Sequence, residues 1–481
     1  MNSPSKKVEF KDLLNKKVQL NISGIEILKS FLFLLIPNFF FLIICYFANL
    51  ARPLINIDYL IPSILILIPN KYIKIIGGMS FCFFIALDAI MLTLQIFPFF
   101  KIAEIIYFIP FIFDGPLRYL VISAVVILYI ILFPLGFNKL VQKYKVNYRY
   151  AIFSAAVFYY LFLLAGNHWK YFKTGLQHFG HHNHYVINSE LGLYQKNYGA
   201  NWFKLVDAVP EIGKGQEIYA SRFLERPFNK KILFIIAESW GEAREERVTQ
   251  ALLKNIYAQQ DHFEYIKHGF FDFAGSTVQA ELRELCQLRS ENGYSFHKME
   301  HFPGEHCLPQ ELKQAGYQTY GLHGAGGLLY DRNFWYPRVG LDHISFAESF
   351  LGKKRCYAFK GICDSELFGH VAEAFKKAGD GKIFFYWMTL TSHTPFAEQD
   401  VQQAERLDCK KYDLFEGDVC NSFKLHAQFF DGLAELIRQP EMKGTEVIVV
   451  GDHMPPVLLD KPVYKNIHWQ DVAWLHFKIK D

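Results

Sequence analysis

The sequence predicts two structural parts: an α-helical transmembrane anchor and an extracytoplasmic α/β domain with a mostly parallel central sheet. Two observations support this prediction. Long apolar runs are concentrated in residues 26–166, in a chain of 481 residues that is 51% hydrophobic and 17% aromatic, which is more than soluble enzymes usually contain. After residue 228, short apolar runs bounded by polar residues recur, as in buried parallel strands. We therefore expect a membrane domain (1–166), an interfacial linker (167–228) and a catalytic domain (229–481).

The membrane domain is predicted to contain about five spans, because one helical crossing of a bilayer needs about 20 apolar residues. The apolar runs lie near 27–49, 54–69, 74–97, 117–137 and 149–166. The second run is short and contains Asp58. The stretch 101–113 is shorter than a span and contains Glu104, which favours an interfacial or re-entrant segment.

The orientation follows from the placement of lysine and arginine, since short positively charged loops stay in the cytoplasm. Lysines are concentrated before the first run, between the second and third, and between the fourth and fifth. An odd number of spans then places everything after residue 166 outside the cytoplasm. The net charge of +4 is small for this length, so a nucleic-acid partner is not expected.

Six cysteines fall in the C-terminal half, and an oxidising compartment allows up to three disulfides among them. They are Cys286, Cys307, Cys356, Cys363, Cys409 and Cys420. The short loops 356–363 and 409–420 are the natural pairs. A zinc ribbon is the alternative, but no C-x-x-C pair is present.

The predicted linker is rich in histidine, with His168, His178, His181, His182 and His184. Imidazole is a common metal ligand. The stretch nevertheless has no carboxylate at a fixed spacing, which favours a solvated connector near the membrane surface.

The stretch GSTVQAELRELC at 275–286 predicts an amphipathic helix that begins at its Ser-Thr pair. Ser276 and Gln279 match a capping box, in which the serine hydroxyl and the glutamine side chain satisfy free N–H groups at the helix start. The Thr277 hydroxyl is then left without a structural role, and we expect it to be available for chemistry.

Three predicted strands end in polar side chains. The strand at 231–237 precedes Glu238, the run KIFFYWMTLTSHTPF leads to His393, and EVIVVG precedes Asp452 and His453. Ligands of open α/β sheets bind beyond the carboxyl ends of the strands, so these side chains are expected to converge. They suit a divalent metal such as zinc or manganese, with the Thr277 hydroxyl as nucleophile. Taken singly, each of these residues is equally consistent with a cap or a turn.

Five motifs occur in the order found in lipoteichoic acid synthases and the related phosphoglycerol and phosphoethanolamine transferases: ES at 238–239, ST-x-x-AE at 276–281, HGAGGLLYDRNFWYPRVGLD at 323–342, SHTPF at 392–396 and GDH at 451–453. The chain thus resembles the membrane-anchored, sulfatase-like members of the alkaline phosphatase superfamily along almost its whole length. The resemblance implies a multi-pass protein of the bacterial inner membrane with a periplasmic catalytic domain.

The resemblance also implies residue roles. Glu238, Thr277, Asp452 and His453 would bind one metal, with Thr277 as the nucleophile. The substrate would contact His393, His323, Tyr330, Arg332 and His468. The chain departs from the family motifs at two places that bear on the identity of the donor lipid. Residues 329–332 read LYDR where lipoteichoic acid synthases usually have FWNR. Residues 454–456 read MPP where the phosphoethanolamine enzymes usually have Gly-Glu.

The predicted activity is transfer of a phospholipid headgroup, with phosphoglycerol favoured, through a phosphothreonine onto an envelope glycan or glycolipid. Phosphoethanolamine transfer to lipopolysaccharide or another surface glycan is the alternative. A hydrolytic sulfatase is disfavoured because the C-x-P-x-R and S-x-P-x-R motifs are absent. A non-catalytic envelope protein is disfavoured because all four metal-binding side chains are present.

Overall fold

The structure, a computed structural model, describes residues 23–48, 50–96, 107–114, 117–170, 185–198, 209–291, 293–456 and 463–481. We call the described residues up to 198 the membrane half and those from 209 onward the C-terminal domain. The membrane half contains helices α1 (Gly24–Leu35), α2 (Phe39–Ala48), α3 (Leu60–Leu67), α4 (Lys71–Ile96), α5 (Leu117–Tyr144), α6 (Tyr148–Ala165) and α7 (Glu190–Tyr198).

Four helical segments are long and apolar enough to cross a membrane: Gly24–Phe47, Lys71–Gln95, Leu120–Tyr144 and Tyr148–Ala165. They coincide with the first, third, fourth and fifth predicted spans. Many of their apolar side chains are exposed, for example Ile131 and Leu163 at 55% and 64%. Such apolar surfaces suit a lipid environment, and the chain is a membrane protein.

The second predicted span, 54–69, is not a membrane-length helix, because its apolar helix covers only Ile57–Leu67. This segment still runs along α4 in the opposite direction. The Ala51 amide donates to Gln95 near the end of α4, Tyr59 donates to Asp88, and Leu65 packs on Gly77 near its start. An extended stretch and a short helix together therefore return the chain along α4.

A buried polar cluster joins these segments inside the membrane half. The Arg52 guanidinium donates to both carboxylate oxygens of Asp88, at 2.7 to 3.0 Å, and to Asn38 Oδ1 at 2.9 Å. The Tyr59 hydroxyl donates to Asp88 at 2.7 Å. Both charges are fully buried, and buried charges at membrane depth need such partners.

Part of the predicted linker is built into the membrane half. Strand β1 (Ile55–Asn56) pairs in parallel with β2 (Ile187–Asn188). Asp58 then accepts hydrogen bonds from the Ser189 hydroxyl and the Leu191 amide at the start of α7. Residues 187–198 are therefore a packed segment, whereas His178, His181, His182 and His184 lie outside the described residues and His168 is exposed.

The C-terminal domain is built on a mixed, mostly parallel sheet of eight strands, as predicted. Two further strands pair with each other beside this sheet, namely β3 and β7. The ten strands are β3 (Ile212–Lys214), β4 (Lys231–Ala237), β5 (Gly241–Ala243), β6 (Phe263–Asp272), β7 (Leu288–Ser290), β8 (Gln318–His323), β9 (His343–Ser345), β10 (Ile383–Met388), β11 (Thr445–Gly451) and β12 (Ile467–Ile479).

The main sheet has the order β5-β12-β11-β4-β10-β8-β9, with β6 also pairing with β12. Strands β11, β4, β10, β8 and β9 are parallel, and β12 is antiparallel to its neighbours. Successive side chains of β4 point into opposite cores: Leu233 and Ile235 into one, Phe234 and Ile236 into the other. A strand buried on both faces reads as a continuous apolar run, which is why β4 was recognisable in the sequence.

Helices cover both faces of this sheet: α8 (Glu246–Leu252), α9 (Lys254–Tyr257), α10 (Thr277–Cys286), α11 (Leu308–Gln314), α12 (Arg332–Arg338), α13 (Phe368–Ala378), α14 (Asp418–Leu436) and α15 (Val463–Asn466). All six cysteines form disulfides. The two predicted short loops are closed by Cys356–Cys363 and Cys409–Cys420. The remaining pair, Cys286–Cys307, ties the end of α10 to the start of α11.

Candidate active site

The three strands predicted to end in ligands are neighbours in the sheet. Strand β4 lies between β11 and β10, and Ile236 is level with both Val450 and Met388. Glu238, Asp452 and the loop after Met388 therefore leave the sheet at the same edge. The sequence pattern correctly predicted this convergence.

Glu238, Asp452 and His453 form a compact buried cluster. One ligand atom from each lies within 4.8 Å of the other two. His453 Nε2 is 3.2 Å from Asp452 Oδ2 and 3.8 Å from Glu238 Oε1. All three side chains are at most 9% exposed.

Local hydrogen bonds fix the ligand atoms of this cluster. Asp452 Oδ1 accepts from the backbone amides of Ser239 at 2.6 Å and His453 at 2.7 Å. Asp452 Oδ2 is buried and accepts no hydrogen bond from the described residues. His453 Nδ1 donates to the Met454 carbonyl at 2.9 Å, if that nitrogen carries the proton. This arrangement leaves Nε2 as the lone-pair nitrogen, as in histidines that ligate metals.

The charges of the cluster favour a cation. Burial, together with the neighbouring Asp452 carboxylate, raises the pKa of Glu238 well above its ordinary value. Two adjacent buried carboxylates are costly unless positive charge compensates them, and the Ser239 hydroxyl donates to one oxygen of Glu238, at 2.8 Å. The free Asp452 oxygen and the mixed carboxylate–imidazole donor set fit a divalent metal.

Thr277 is the first residue of α10, as predicted, and is 8% exposed. The capping box is wrong. The Ser276 hydroxyl donates to the Tyr294 hydroxyl at 2.9 Å, and Gln279 exchanges two hydrogen bonds with the Ser290 backbone. Tertiary partners have replaced the local ones, while no hydrogen bond joins the Thr277 hydroxyl to the described residues.

Helix α10 is held against the strand ends by charged side chains further along it. Arg283 donates to the carbonyl of Gly451, next to Asp452, at 3.1 Å. Glu281 accepts from the Tyr386 hydroxyl of β10 at 2.8 Å. Residues four apart lie on one helix face, so Thr277 shares its face with Glu281. These two contacts hold α10 beside the carboxyl ends of β10 and β11, and Thr277 lies at the N-terminus of this helix, the end that favours anions.

His393 lies in the loop that follows β10, which several side chains hold in place. Asp364 accepts from the Leu390 and Thr391 amides, and Ser392 donates to the Glu238 carbonyl at 2.6 Å. His393 Nδ1 is 2.6 Å from the Thr394 carbonyl. Burial lowers the pKa of His393, and the nearby His453 contributes to this shift. No hydrogen bond joins Nε2 of His393 to the described residues.

His323 ends strand β8, and its Nδ1 lies 2.9 Å from the Met388 carbonyl. Burial lowers its pKa well below the ordinary value, and Arg332 and His393 contribute to the shift. Of the predicted substrate residues, His323, His393 and Arg332 are therefore neighbours.

Arg332 forms a buried ion pair with Glu281, a residue to which the sequence motifs assigned no role. Its guanidinium pairs with Glu281 at 2.8 Å, and both side chains are at most 1% exposed. Glu281 also accepts from Tyr336 and Tyr386. The available signal in the sequence was a glutamate one turn after Thr277, on the same face of an amphipathic helix. Arg332 thus anchors α12 to α10.

Tyr330 and His468 differ in their surroundings. Tyr330 adopts a left-handed conformation with φ of 57°, and its ring lies under the Arg332 guanidinium at 5.1 Å. His468 stacks on Phe270 and faces Asp471 at 3.5 Å. Among the described residues, no contact joins His468 to the Glu238–Asp452–His453 cluster.

Residues 270–471 match the sulfatase family, and this range contains α10, β10 and β11. Sequence similarity extends to phosphoglycerol transferase I of Escherichia fergusonii, with 25% identity over 186 residues. The alignment covers 37% of this chain and 24% of the relative. The chain therefore spans about a quarter of the length of the curated relatives that it matches.

The solved structures to which this chain was matched include two transferases. Lipooligosaccharide phosphoethanolamine transferase A from Neisseria meningitidis is 12% identical, with a TM-score of 0.44, covering 95% of this chain and 89% of that one. A phosphoglycerol transferase from Streptococcus pyogenes is 15% identical, with a TM-score of 0.41, covering 54% and 70%. The match of residues 270–471 to the sulfatase family model agrees with the sulfatase-like motifs found in the sequence.

Proposed function

We propose that the protein is a metal-dependent transferase that moves a phospholipid headgroup phosphate, preferably phosphoglycerol, onto an envelope glycan or glycolipid. The observation that carries this proposal is the buried Glu238–Asp452–His453 cluster at the strand edge against which the Thr277 helix is held. The sulfatase-family match and the phosphoglycerol transferase relatives support the reaction class. The site would lie on the outer side of the bacterial inner membrane, because the four membrane-length helices and the short return at 54–69 together give the odd number of crossings that the lysine distribution favours.

The residues that would hold one zinc or manganese ion are Glu238, Asp452, His453 and the Thr277 hydroxyl. When bound, the ion would supply positive charge that lowers the pKa of a hydroxyl and neutralises phosphate oxygens. The chain itself contributes the fixed orientation of these ligands. The two amides on Asp452 Oδ1 and the carbonyl beside His453 Nδ1 provide that orientation.

The proposed reaction has two displacements at phosphorus. In the first, Thr277 Oγ attacks the headgroup phosphorus, and the bond from phosphorus to the diacylglycerol oxygen breaks. The threonine proton is passed to the departing diacylglycerol. In the second, a hydroxyl of the acceptor attacks, the Thr277 Oγ–phosphorus bond breaks, and the acceptor proton returns to Thr277. A covalent phosphothreonine separates the two steps.

The neighbouring side chains would bind the substituents of the phosphate. His393 presents Nε2 at the same sheet edge, because Thr394 occupies Nδ1. His323, Tyr330 and Arg332 would line the headgroup pocket, with the Arg332 guanidinium held by Glu281. His468 would act only at the edge of that pocket. Tethering to the membrane raises the effective concentration of a donor that is itself a lipid.

Phosphoethanolamine transfer to lipopolysaccharide or another surface glycan is the second candidate, because both donors present the same phosphodiester to Thr277. To distinguish them, the full-length protein is incubated separately with phosphatidylglycerol and phosphatidylethanolamine. The mass of the tryptic peptide that contains Thr277 is then measured. We expect the added mass of phosphoglycerol. Added phosphoethanolamine would select the alternative, and an unmodified peptide with both lipids during active turnover would contradict the covalent scheme.

A further inference from the structure

We propose that the loop closed by Cys356–Cys363 positions His393 and links it to the turn Ile109–Asp114 of the membrane half. The candidate site is then complete only when this turn is docked on the C-terminal domain. The inference rests on the proposed function, because it assigns a positioning role toward His393. It concerns Phe359 and Lys360, two residues to which the sequence motifs gave no role.

The loop contacts the membrane half through Lys360. The Lys360 ammonium donates to the Phe113 carbonyl at 2.7 Å. Phe113 ends the apolar stretch that the sequence predicted to be interfacial, and its side chain is 70% exposed. The described part of that stretch, 107–114, includes a 3₁₀ turn from Ile109 to Asp114; Glu104 lies outside the described residues. A lysine of the C-terminal domain thus holds the backbone of a predicted membrane-surface turn.

The same stretch also contacts the other side of the candidate pocket. The Phe108 ring packs edge-on against Tyr330 at 5.2 Å and near Tyr294 at 6.3 Å. The Tyr107 hydroxyl donates to the Leu328 carbonyl at 3.4 Å. Residues 107–114 therefore contact both the segment 328–330 and the disulfide-closed loop.

The loop contacts His393 through its tip. The Phe359 ring lies 5.0 Å from the imidazole of His393. Two buried aspartates hold the loop and the histidine segment: Asp400 accepts from the Tyr357 and Ala358 amides, while Asp364 holds the amides of Leu390 and Thr391. The hydrogen bonds of the two aspartates therefore fix both the loop that carries Phe359 and the segment that carries His393.

The base of the loop packs on the residue that follows His323. The Ile362 amide donates to the Gly324 carbonyl at 2.7 Å. A Cβ atom at Gly324 would lie 2.4 Å from the Ile362 carbonyl oxygen, so this approach requires glycine. The loop therefore connects the turn at Phe113 with both predicted pocket histidines.

The test compares Lys360→Met with Lys354→Met in the full-length protein. Both remove one exposed lysine charge near the loop, but no hydrogen bond or ion pair joins the Lys354 side chain to the described residues. Hydrogen exchange of residues 107–114 is measured first, because it needs no activity. We expect faster exchange in Lys360→Met and unchanged exchange in Lys354→Met. Equal exchange in the two variants would overturn the docking contact.

The second measurement is headgroup transfer from donor lipid in vesicles of phosphatidylglycerol. Phe359→Ala should lower kcat by about 3- to 10-fold with KM unchanged, because a misplaced catalytic group costs rate rather than binding. Phe359→Leu should recover most of the rate. Wild-type kcat in Phe359→Ala would overturn the positioning role. If the wild-type protein transfers no headgroup from phosphatidylglycerol or from phosphatidylethanolamine, the proposed function is overturned. The hydrogen-exchange comparison would then still test whether the turn docks on the C-terminal domain.

Discussion

The Ser239 amide donates a 2.6 Å hydrogen bond to Asp452 Oδ1. Ser239 can do so because it adopts a left-handed conformation with φ of 57° directly after Glu238. One turn of backbone thus orients the carboxylates of two neighbouring strands, and the second Asp452 oxygen remains without a hydrogen bond from the described residues. This oxygen is the most direct target for testing whether the cluster binds metal.

Asp452→Asn should lower metal affinity by more than about 10-fold, since even indirect partners of metal ligands are worth 10- to 100-fold. Metal content per chain is measured after dialysis against limiting zinc or manganese. The metal-free variant should be at least as stable as the metal-free wild type, because a buried carboxylate next to Glu238 is removed. Asp431→Asn, on the side chain that pairs with Arg406, is the matched control and should retain metal. Unchanged affinity in Asp452→Asn would refute the ligand assignment.

Thr277→Ala should lower transfer by roughly 10³-fold or more, as expected when a nucleophile is removed. The fold and the metal content should persist, because the Thr277 hydroxyl makes no hydrogen bond to the described residues. Thr277→Ser keeps a hydroxyl and should retain measurable turnover. The assay measures headgroup transfer from the lipid donor. Wild-type rates in Thr277→Ala would exclude a covalent intermediate at this residue.

Glu281→Gln should destabilise the C-terminal domain by about 3 kcal/mol or more, because it leaves the buried Arg332 charge without its carboxylate. Urea denaturation followed by tryptophan fluorescence measures the change. Glu311→Gln is the control: Glu311 pairs with Arg226, but both side chains are about half exposed. Such surface pairs contribute at most about 1 kcal/mol. A similar loss of stability in both variants would show that burial of the Glu281–Arg332 pair does not increase its contribution to stability.

His426 should make the domain less stable in acid. Burial lowers its pKa to about 4, and its Nε2 lies 3.1 Å from the Glu238 carbonyl. Above about pH 6.5 the residue is neutral whether folded or unfolded, but between 6.5 and 4 only the unfolded chain gains the proton. Stability should therefore fall by about 3 kcal/mol across that window.

The measurement for His426 compares the free energy of unfolding of metal-free wild type and His426→Gln from pH 7.5 to 4. Glutamine keeps an N–H donor but does not titrate. The difference between the two proteins should be constant above pH 6.5 and change below it in favour of the variant. A difference that is independent of pH across the whole range would contradict the prediction.

The sequence was sufficient to predict the strand framework and the meeting of Glu238, Asp452 and His453. Buried parallel strands have a distinct apolar pattern, and their carboxyl ends share one edge. The partners of polar side chains were not predictable in the same way. Gln279 has a suitable local partner at Ser276 but pairs with Ser290 across the fold. Such choices depend on which chain segments the tertiary structure brings together.

The membrane half shows the same limit. Apolar length identified four full crossings, because hydrophobicity alone carries that signal. The short return at 54–69 depends instead on Asp88, which binds both Arg52 and Tyr59. No local pattern connects residues that are so far apart in the sequence.

The packing of residues 187–198 into the membrane half determines where a soluble recombinant fragment of this protein should begin. A recombinant fragment that starts at residue 167 would carry β2 and α7 away from Ile55 and Asp58, their partners, and would expose apolar surface that promotes aggregation. A fragment that starts near 209 leaves this segment with the anchor and keeps β3 paired with β7. A soluble, monodisperse product is therefore expected from a recombinant fragment that begins at residue 209, and not from one that begins at residue 167, after α6.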